Sequence, residues 1–320
     1  MKILVTPRSV TKHGHPALVR LKEAGYEVVF PAPGQSPSES ELLTLLPGCV
    51  GYLAGVETIS ARVLNAATDL KVISRNGTGV DNIDAEAARR HGIRICRAEG
   101  ANARGVAELA FAHLLAAVRQ VPLSDSGLKQ GKWERRKGLE LEGRILGLIG
   151  CGMIGRLVTK FALAFDMTVL AYDPHPNRSF KPSEQFSYVS LDEVLTRADI
   201  ISLHCPLQAG GAAIIDRQAI SRMKHGVYVI NTARAGLMDA GAVLEAIDSG
   251  KIAGVTVDAF ESEPPEDWRL VKHERVIGTP HVGGFTDASI DRAISVSIDN
   301  LLMALEAARQ AEVIEPGLAC

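Results

Sequence analysis

The stretch Ile145-Leu146-Gly147-Leu148-Ile149-Gly150-Cys151-Gly152-Met153-Ile154-Gly155 decides how this chain folds. Its first five residues have a buried-strand pattern, and an amphipathic helical pattern, Met153–Phe165, begins within the turn that follows. Between them stands G-x-G-x-x-G in the strand, turn, helix context that gives the motif its meaning. The three glycines serve different ends, a tight turn at Gly150, approach of the backbone to a pyrophosphate at Gly152, and helix-on-strand packing at Gly155. The helix start, with Met153 and Ile154, offers N–H groups and a partial positive charge to the phosphates. Asp173 closes the next predicted strand, 18 positions past Gly155 (173 − 155), close to the ~20 expected of an acid that takes the ribose hydroxyls. A carboxylate there repels a 2′-phosphate, and the next arginine is Arg178, which sets NAD ahead of NADP. Taken alone, Asp173 reads equally as a strand-end acid in a solvated turn. Glycines, context and acid together point to a dinucleotide.

Outward from this turn the pattern repeats. Strand-like runs at Thr168–Tyr172, Ile200–His204, Val227–Asn231 and Gly254–Asp258 alternate with helical segments at Leu191–Arg197, Asp216–Lys224 and Ala240–Ser249. The first hundred residues show the same alternation. Strands are predicted at Ile3–Val5, Val28–Phe30, Val50–Leu53, Val72–Ser74 and Ile93–Cys96, and helices at Pro16–Ala24, Ser40–Leu46, Ser60–Ala66 and Asp84–His91. Such alternation predicts an α/β chain with two doubly wound parallel sheets covered on both faces. Between the two series runs the helix Ala103–Arg119, apolar nearly all round. It asks for burial on most faces, either between domains or against another subunit. A last helix, Asp287–Ala308, follows a glycine-rich turn.

Composition narrows the class. A chain of 320 residues allows about two domains. Its 35 basic and 37 acidic side chains give a formal charge of −2, so no basic excess exists to hold a nucleic-acid backbone. Aromatics at 5% argue against a base-stacking platform. Cys49, Cys96, Cys151, Cys205 and Cys320 are odd in number and lack C-x-x-C spacing, so neither a zinc site nor a disulfide framework is expected. Reduced thiols fit a cytoplasmic protein. The apolar run in Met1–Pro7 is short for a signal segment, and no apolar stretch approaches the ~20 residues of a membrane span. Glycine is the outlier at 30 of 320 residues, against a usual ~7%.

A nicotinamide enzyme acting on an alcohol needs a group that takes the hydroxyl proton, and a cation if the substrate is an acid. Ligands of open α/β sheets settle at the carboxyl ends of strands. Arg234 lies just past one strand end, in Asn231-Thr232-Ala233-Arg234-Ala235-Gly236, and its fork of donors suits a carboxylate. Asp258 ends the next strand and Glu263-Pro264-Pro265 follows it. His281 sits between a proline and Gly283-Gly284 in Gly278-Thr279-Pro280-His281-Val282-Gly283-Gly284. A histidine beside a carboxylate serves as acid or base near neutral pH. Each residue also has an ordinary reading: Arg234 as a solvated side chain, Glu263 as a loop carboxylate, His281 as a turn hydrogen bond. The residues alone leave these readings level. The other histidines, His113 and His204 among them, read as structural or solvated.

Five stretches, in order along the chain and covering most of it, resemble the D-isomer-specific 2-hydroxyacid dehydrogenase family. They are Gly77-Thr78-Gly79-Val80-Asp81-Asn82-Ile83-Asp84, the Gly150–Gly155 turn with Asp173, Asn231–Gly236, Asp258 with Glu263-Pro264-Pro265, and Pro280–Gly284. Within that family Arg75–Gly79 and Gly131–Arg135 are similar to the phosphoglycerate dehydrogenase branch, in a short form without regulatory domains. The resemblance implies a discontinuous, flavodoxin-like substrate domain, 1–100 and 285–320, and a Rossmann NAD domain, 101–284, around a cleft. It implies His281 as the acid/base at the C2 oxygen and Glu263 as the carboxylate that holds the imidazole and keeps its pKa high. Arg234 is implied as the residue that binds the substrate carboxylate and polarises C2. Gly77, Thr78 and Gly79 are implied as an anion-gripping backbone, with Arg75 either meeting a substrate phosphate or pairing with a nearby carboxylate. Pro206, Thr232, Asp258, Gly283 and Gly284 are implied to line the cofactor, and a homodimer is implied as the assembly.

Two positions depart from the family pattern. Gly105 stands where a Ser or Thr is usual, and Gln208-Ala209-Gly210-Gly211 replaces a Thr-x-x-Thr after Pro206. The expected activity is NAD-dependent hydride transfer at C2 of a small D-2-hydroxy or 2-keto acid, 3-phosphoglycerate first and glyoxylate or hydroxypyruvate next. A non-enzymatic, NAD-sensing corepressor-like protein is the alternative of another class. A tight-NAD enzyme such as an adenosylhomocysteine hydrolase is a remote one, disfavoured by length and by the histidine–glutamate pair.

Overall fold

The computed structural model describes residues 1–208 and 210–314; Ala209 of the departing loop, the end of the expected 285–320 segment and Cys320 lie outside the described residues. The chain divides into two compact units, one formed by Met1–Asn102 with the chain from Asp287 onward, the other by Ala103–Thr286.

The first unit runs β1 (Lys2–Val5), α1 (Arg8–His13), α2 (Val19–Glu23), β2 (Glu27–Val29), α3 (Glu39–Leu45), β3 (Cys49–Ala54), α4 (Ala61–Ala66), β4 (Val72–Arg75), α5 (Ala85–Arg90) and β5 (Arg94–Arg97). Its five parallel strands lie in the order β2-β1-β3-β4-β5, the flavodoxin-like arrangement. Side chains alternate across a strand, and the core divides accordingly. Leu4, Tyr52 and Ile73 face a cluster with Leu42, Val63 and Leu64 of α3 and α4. Their neighbours Ile3, Leu53 and Val72 face the opposite cluster. Helix starts are set locally: Ser38 and Glu41 form a capping box on α3, and Ser60 and Asp84 cap α4 and α5.

The second unit runs α6 (Ala103–Val118), α7 (Val121–Lys129), β6 (Ile145–Ile149), α8 (Met153–Ala164), β7 (Thr168–Tyr172), β8 (Phe186–Tyr188), α9 (Leu191–Arg197), β9 (Ile200–Leu203), α10 (Arg217–Arg222), β10 (Val227–Asn231), α11 (Ala240–Asp248), β11 (Ile252–Val257), α12 (Arg269–Lys272) and β12 (Val276–Gly278). Its seven parallel strands lie in the order β12-β11-β10-β9-β6-β7-β8. β6 pairs on one side with β7 and on the other with β9, so the strand order reverses at its carboxyl end, where Gly150 begins. The last helix, α13 (Asp287–Ile314), returns to the first unit, where Ile294, Ile298, Leu301 and Leu305 cover Ile3, Val5, Leu53 and Val72.

The apolar helix α6 is buried within its own unit. Ala107, Ala110, Phe111, Leu114 and Val118 join the core with Leu146, Leu148, Val158 and Ile230, while Arg104, Glu108, Ala112 and Arg119 stay exposed along one stripe. α7 is not expected from the sequence, since Pro122 and Gly127 interrupt any helical pattern there. It leaves α6 at a 62° bend, made by Gln120 in the left-handed region (φ 52°) and by Pro122 in the first turn. Among the described residues no single helix is long and apolar enough to cross a membrane.

Candidate active site

The glycine turn shows why each glycine stands where it does. Gly150 has φ 95°, and a Cβ there would lie 2.7 Å from the backbone of His204 and Cys205. A Cβ on Gly155 would lie 2.4 Å from the carbonyl oxygen of Gly150. Both contacts are with backbone, which cannot yield. Gly152 differs: a Cβ there would meet nothing within 4 Å, and its φ is an ordinary −72°. The fold itself has no need of glycine at 152, and the open space it leaves lies at the start of a twelve-residue helix without a side-chain cap. That is the setting in which a phosphate is taken by helix N–H groups.

Asp173, just past β7, is oriented by the same turn. Its Oδ2 accepts from the Cys151 N–H and its Oδ1 from the His175 N–H, both at 2.8 Å. Each oxygen keeps a lone pair for a ribose hydroxyl. Thr232, just past β10, is 8% exposed and its Oγ1 has no hydrogen-bond partner. An orphaned buried hydroxyl at a strand end, the open space a Cβ on Gly152 would enter and an acid aimed by the turn all fit a bound dinucleotide. Arg156, overlooked in the sequence, donates from Nε to the Gly152 carbonyl at 3.2 Å and places a cation beside the turn. Its signal was available, one position after the last glycine of the motif. Met153 and Pro206 are exposed and Ile154 is partly buried at the same end. The thiol of Cys151, inside the turn, is pushed up by burial.

The acid–base candidates gather at the carboxyl ends of three adjacent strands, β10, β11 and β12. His281 donates through Nδ1 to both oxygens of Glu263, at 2.7 and 2.9 Å. A carboxylate only accepts, so Nδ1 carries the proton and Nε2 is the nitrogen available for exchange. Glu263 in turn accepts from the Phe260 N–H at 3.3 Å. Both side chains remain about half exposed. His281 itself has φ 51°, a left-handed conformation that a non-glycine residue holds only where its surroundings impose it.

Arg234 is held by a local staple. The buried Asn231 accepts from the Ala233 N–H at 3.0 Å and donates to the Arg234 carbonyl at 2.8 Å, fixing the loop that carries the guanidinium. Asp258, which the resemblance implies as a residue lining the cofactor, is held inside the fold. It is 2% exposed, and its oxygens accept from the Val282 and Gly283 N–H groups, each at 2.9 Å, and from the Thr279 hydroxyl. Its carboxylate is directed into the turn around His281. Gly284 is partly buried at the end of that turn.

In the first unit, Arg75 ends β4 and folds back over its own loop. Its Nη1 donates to the Asn76 carbonyl, and a Cβ on Gly77 would sit 2.1 Å from that nitrogen. Of the three residues expected to grip an anion, Gly77 donates its N–H to the Arg75 carbonyl at 2.8 Å. Thr78 and Gly79 donate no backbone bond among the described residues, which leaves their N–H groups for an anion. At the two positions that depart from the family pattern, Gly105 is buried in α6, and the Gly211 N–H bonds to the Gln208 carbonyl at 2.8 Å.

Comparison with known proteins shows what the sequence and the fold are similar to. The sequence profile described as "D-isomer specific 2-hydroxyacid dehydrogenase, NAD binding domain" matches residues 111–283. The chain is 41% identical over 266 residues to hydroxypyruvate reductase from Thermotoga maritima, covering 81% of this chain and 86% of that protein. It is 38% identical over 275 residues to D-3-phosphoglycerate dehydrogenase from Homo sapiens, covering 85% of this chain but 51% of the other, so it spans about half the length of that relative. Among solved structures, the TT0316 protein from Thermus thermophilus superposes with a TM-score of 0.85 at 36% identity, over 96% of this chain and 97% of the other.

Proposed function

The chain belongs to the D-isomer specific 2-hydroxyacid dehydrogenase family, an NAD-dependent oxidoreductase by that membership, and from this premise we propose that it acts on a small, unphosphorylated 2-keto acid of the hydroxypyruvate or glyoxylate class. The observation that carries this reading is Arg75. The sequence leaves it open to meet a substrate phosphate, whereas its guanidinium is folded onto the Asn76 carbonyl and over Gly77. The 41% identity to a hydroxypyruvate reductase supports the same choice. 3-Phosphoglycerate is the second reading, favoured by the similarity of Arg75–Gly79 and Gly131–Arg135 to that branch.

Gly150, Gly152, Met153, Ile154 and Gly155 would hold the pyrophosphate, Asp173 the ribose, and Thr232, Pro206, Gly283 and Gly284 the nicotinamide side. When bound, NADH supplies the hydride that the C2 carbon receives. The protein's own part is to bind the substrate carboxylate and deliver a proton. Arg234 pairs with the carboxylate through its planar fork and draws electron density from the C2 carbonyl. On the first unit Thr78 and Gly79 offer two N–H groups of the anion-binding kind. His281 delivers the proton from Nε2 to the C2 oxygen, while Glu263, bonded to Nδ1, holds the ring's tautomer and stabilises its charged form. Asp258 acts through the backbone of the turn rather than by touching the cofactor. We further read the protein as a cytoplasmic homodimer. A reducing compartment suits the buried Cys151 thiol inside the glycine turn, and the exposed apolar surface of α7 suits a second copy.

Steady-state oxidation of NADH with hydroxypyruvate, glyoxylate, pyruvate and 3-phosphohydroxypyruvate tests the reading. Turnover is expected on the first two, and His281→Ala should reduce it by about 10²-fold or more while NADH still binds. Preference for the phosphorylated acid would reverse the order of the two readings, and absence of turnover on all four would remove the enzymatic one.

A further inference from the structure

The turn that carries His281 is braced from inside the fold. Three donors from one short segment, Thr279 Oγ1, Val282 N and Gly283 N, converge on the buried carboxylate of Asp258. His281 stands between them with φ 51°, a left-handed backbone spanned by this convergence and by the His281 N–H bond to the Thr279 carbonyl at 2.9 Å. Thr279 has one hydroxyl proton, and because a carboxylate only accepts, that proton goes to Asp258. Towards its other neighbour, Nε2 of His113 at 3.1 Å, the same oxygen must then accept. Nε2 of His113 therefore carries a hydrogen, and Nδ1, buried and without a partner, does not.

His113 lies in α6, 4% exposed, on the helical face it shares with Val106. Val106 also bears on the turn: its Cγ2 lies 3.2 Å from the place a Cβ on Gly283 would take. A leucine at 113 would fill an apolar helix with no orphaned atom. A histidine leaves one buried nitrogen unsatisfied, which packing alone does not favour. Burial lowers the ring's affinity for a proton, with Asp258 acting in the opposite sense, in keeping with a neutral ring that donates only from Nε2.

We propose that His113 is a positioning residue for the acid–base histidine: by donating from Nε2 to Thr279 it directs the threonine hydroxyl onto Asp258, and so holds residues 279–283 in the conformation that sets His281 against Glu263. This rests on reading His281 as the acid–base group. His113 touches neither substrate nor cofactor in this role; it acts through Thr279, Asp258 and the backbone of the turn.

Two readouts on the full chain test it. In 15N NMR of the protein without substrate, His113 should be the neutral Nε2–H tautomer near neutral pH. The His281 resonances should move in His113→Leu and return in His113→Gln, whose amide also donates. In kinetics, His113→Leu should lower kcat about tenfold with KM for NADH within about twofold, and His113→Gln should recover most of the loss. Thr279→Val should behave as His113→Leu, and Thr279→Ser as wild type, which covers the case of a poorly folded leucine variant. An Nδ1–H tautomer at His113, or His281 resonances that do not respond to His113→Leu and Thr279→Val, would overturn the proposal. So would a glutamine variant as impaired as the leucine one. If the wild-type protein turns over no keto acid, the functional reading fails and the NMR result alone decides this one.

Discussion

His204 shows how much a single buried ring contributes to the behaviour of the whole chain. It follows β9 at the edge of the glycine turn, bonds through Nε2 to Ser202 Oγ at 2.9 Å, and has a buried Nδ1 without a partner. Burial pulls its pKa down to about 4. In the unfolded chain the same group titrates near 6.5, so between those values the unfolded state binds a proton that the folded state refuses. The stabilisation is fully present above about pH 6.5 and is lost as pH falls towards 4. Its ceiling is about 3 kcal/mol, less in practice because the residue keeps part of its surface in solvent. Urea denaturation followed across this range should show the loss, and His204→Gln should flatten the curve. An unchanged slope in the variant would assign the acid sensitivity to other groups.

The same residue scale separates what the sequence disclosed from what it did not. Arg234, Glu263 and His281 stood out because each is a charged or titratable residue beside a predicted strand end, next to glycine or proline. His113 did not, because one histidine inside an apolar helical run has no local neighbour that reveals its bond to Thr279, 166 positions away. Asp258 was visible as a strand-end acid, but its three donors come from residues 279, 282 and 283, and only the fold brings them there. The direction of the Arg75 side chain is likewise a matter of rotamer, which spacing does not encode.

At the scale of elements, strand existence was legible wherever the strand is central. β6, β7 and β10 fall at the expected limits because strands buried on both faces read as unbroken apolar runs. β8 and β12, three residues each at the two sheet edges, carry too short a run to stand out. The turn after β6 makes a sharper prediction, since its glycines are required for different reasons. Gly155→Ala drives a methyl into the Gly150 carbonyl and should destabilise the unit itself, by about 1–3 kcal/mol. Gly152→Ala meets nothing within 4 Å among the described residues and should leave the thermal midpoint unchanged while weakening NADH by about tenfold or more. Differential scanning fluorimetry with a fluorescence titration of NADH reads both. Equal NADH affinity in Gly152→Ala would remove the pyrophosphate from this turn.

At the scale of the molecule, one feature of the second unit has no account within a single chain. α7 buries none of its residues, and a nine-residue helix in water is marginal on its own propensity, with Gly127 weakening it further. Val121 is 54% exposed, Leu128 57%, and Trp133, in the extended segment that follows, 85%. Scattered apolar residues on a surface are ordinary, but a helix with no core beneath it needs a surface to rest on. The apolar character of α6 no longer supplies the argument for a partner that the sequence suggested, because that helix is buried by α8 and the sheet of its own unit. The case for a second copy passes to α7 and the segment 130–140. Light scattering on the purified protein at micromolar concentration should give a dimer, and Leu128→Glu with Trp133→Ala should give a monomer. Hydrogen exchange should then accelerate in 121–129 in that variant while β6, β9 and β10 keep their protection, since the core they share does not include α7. A wild-type monomer would overturn this reading, and so would a variant that remains dimeric with α7 fully protected.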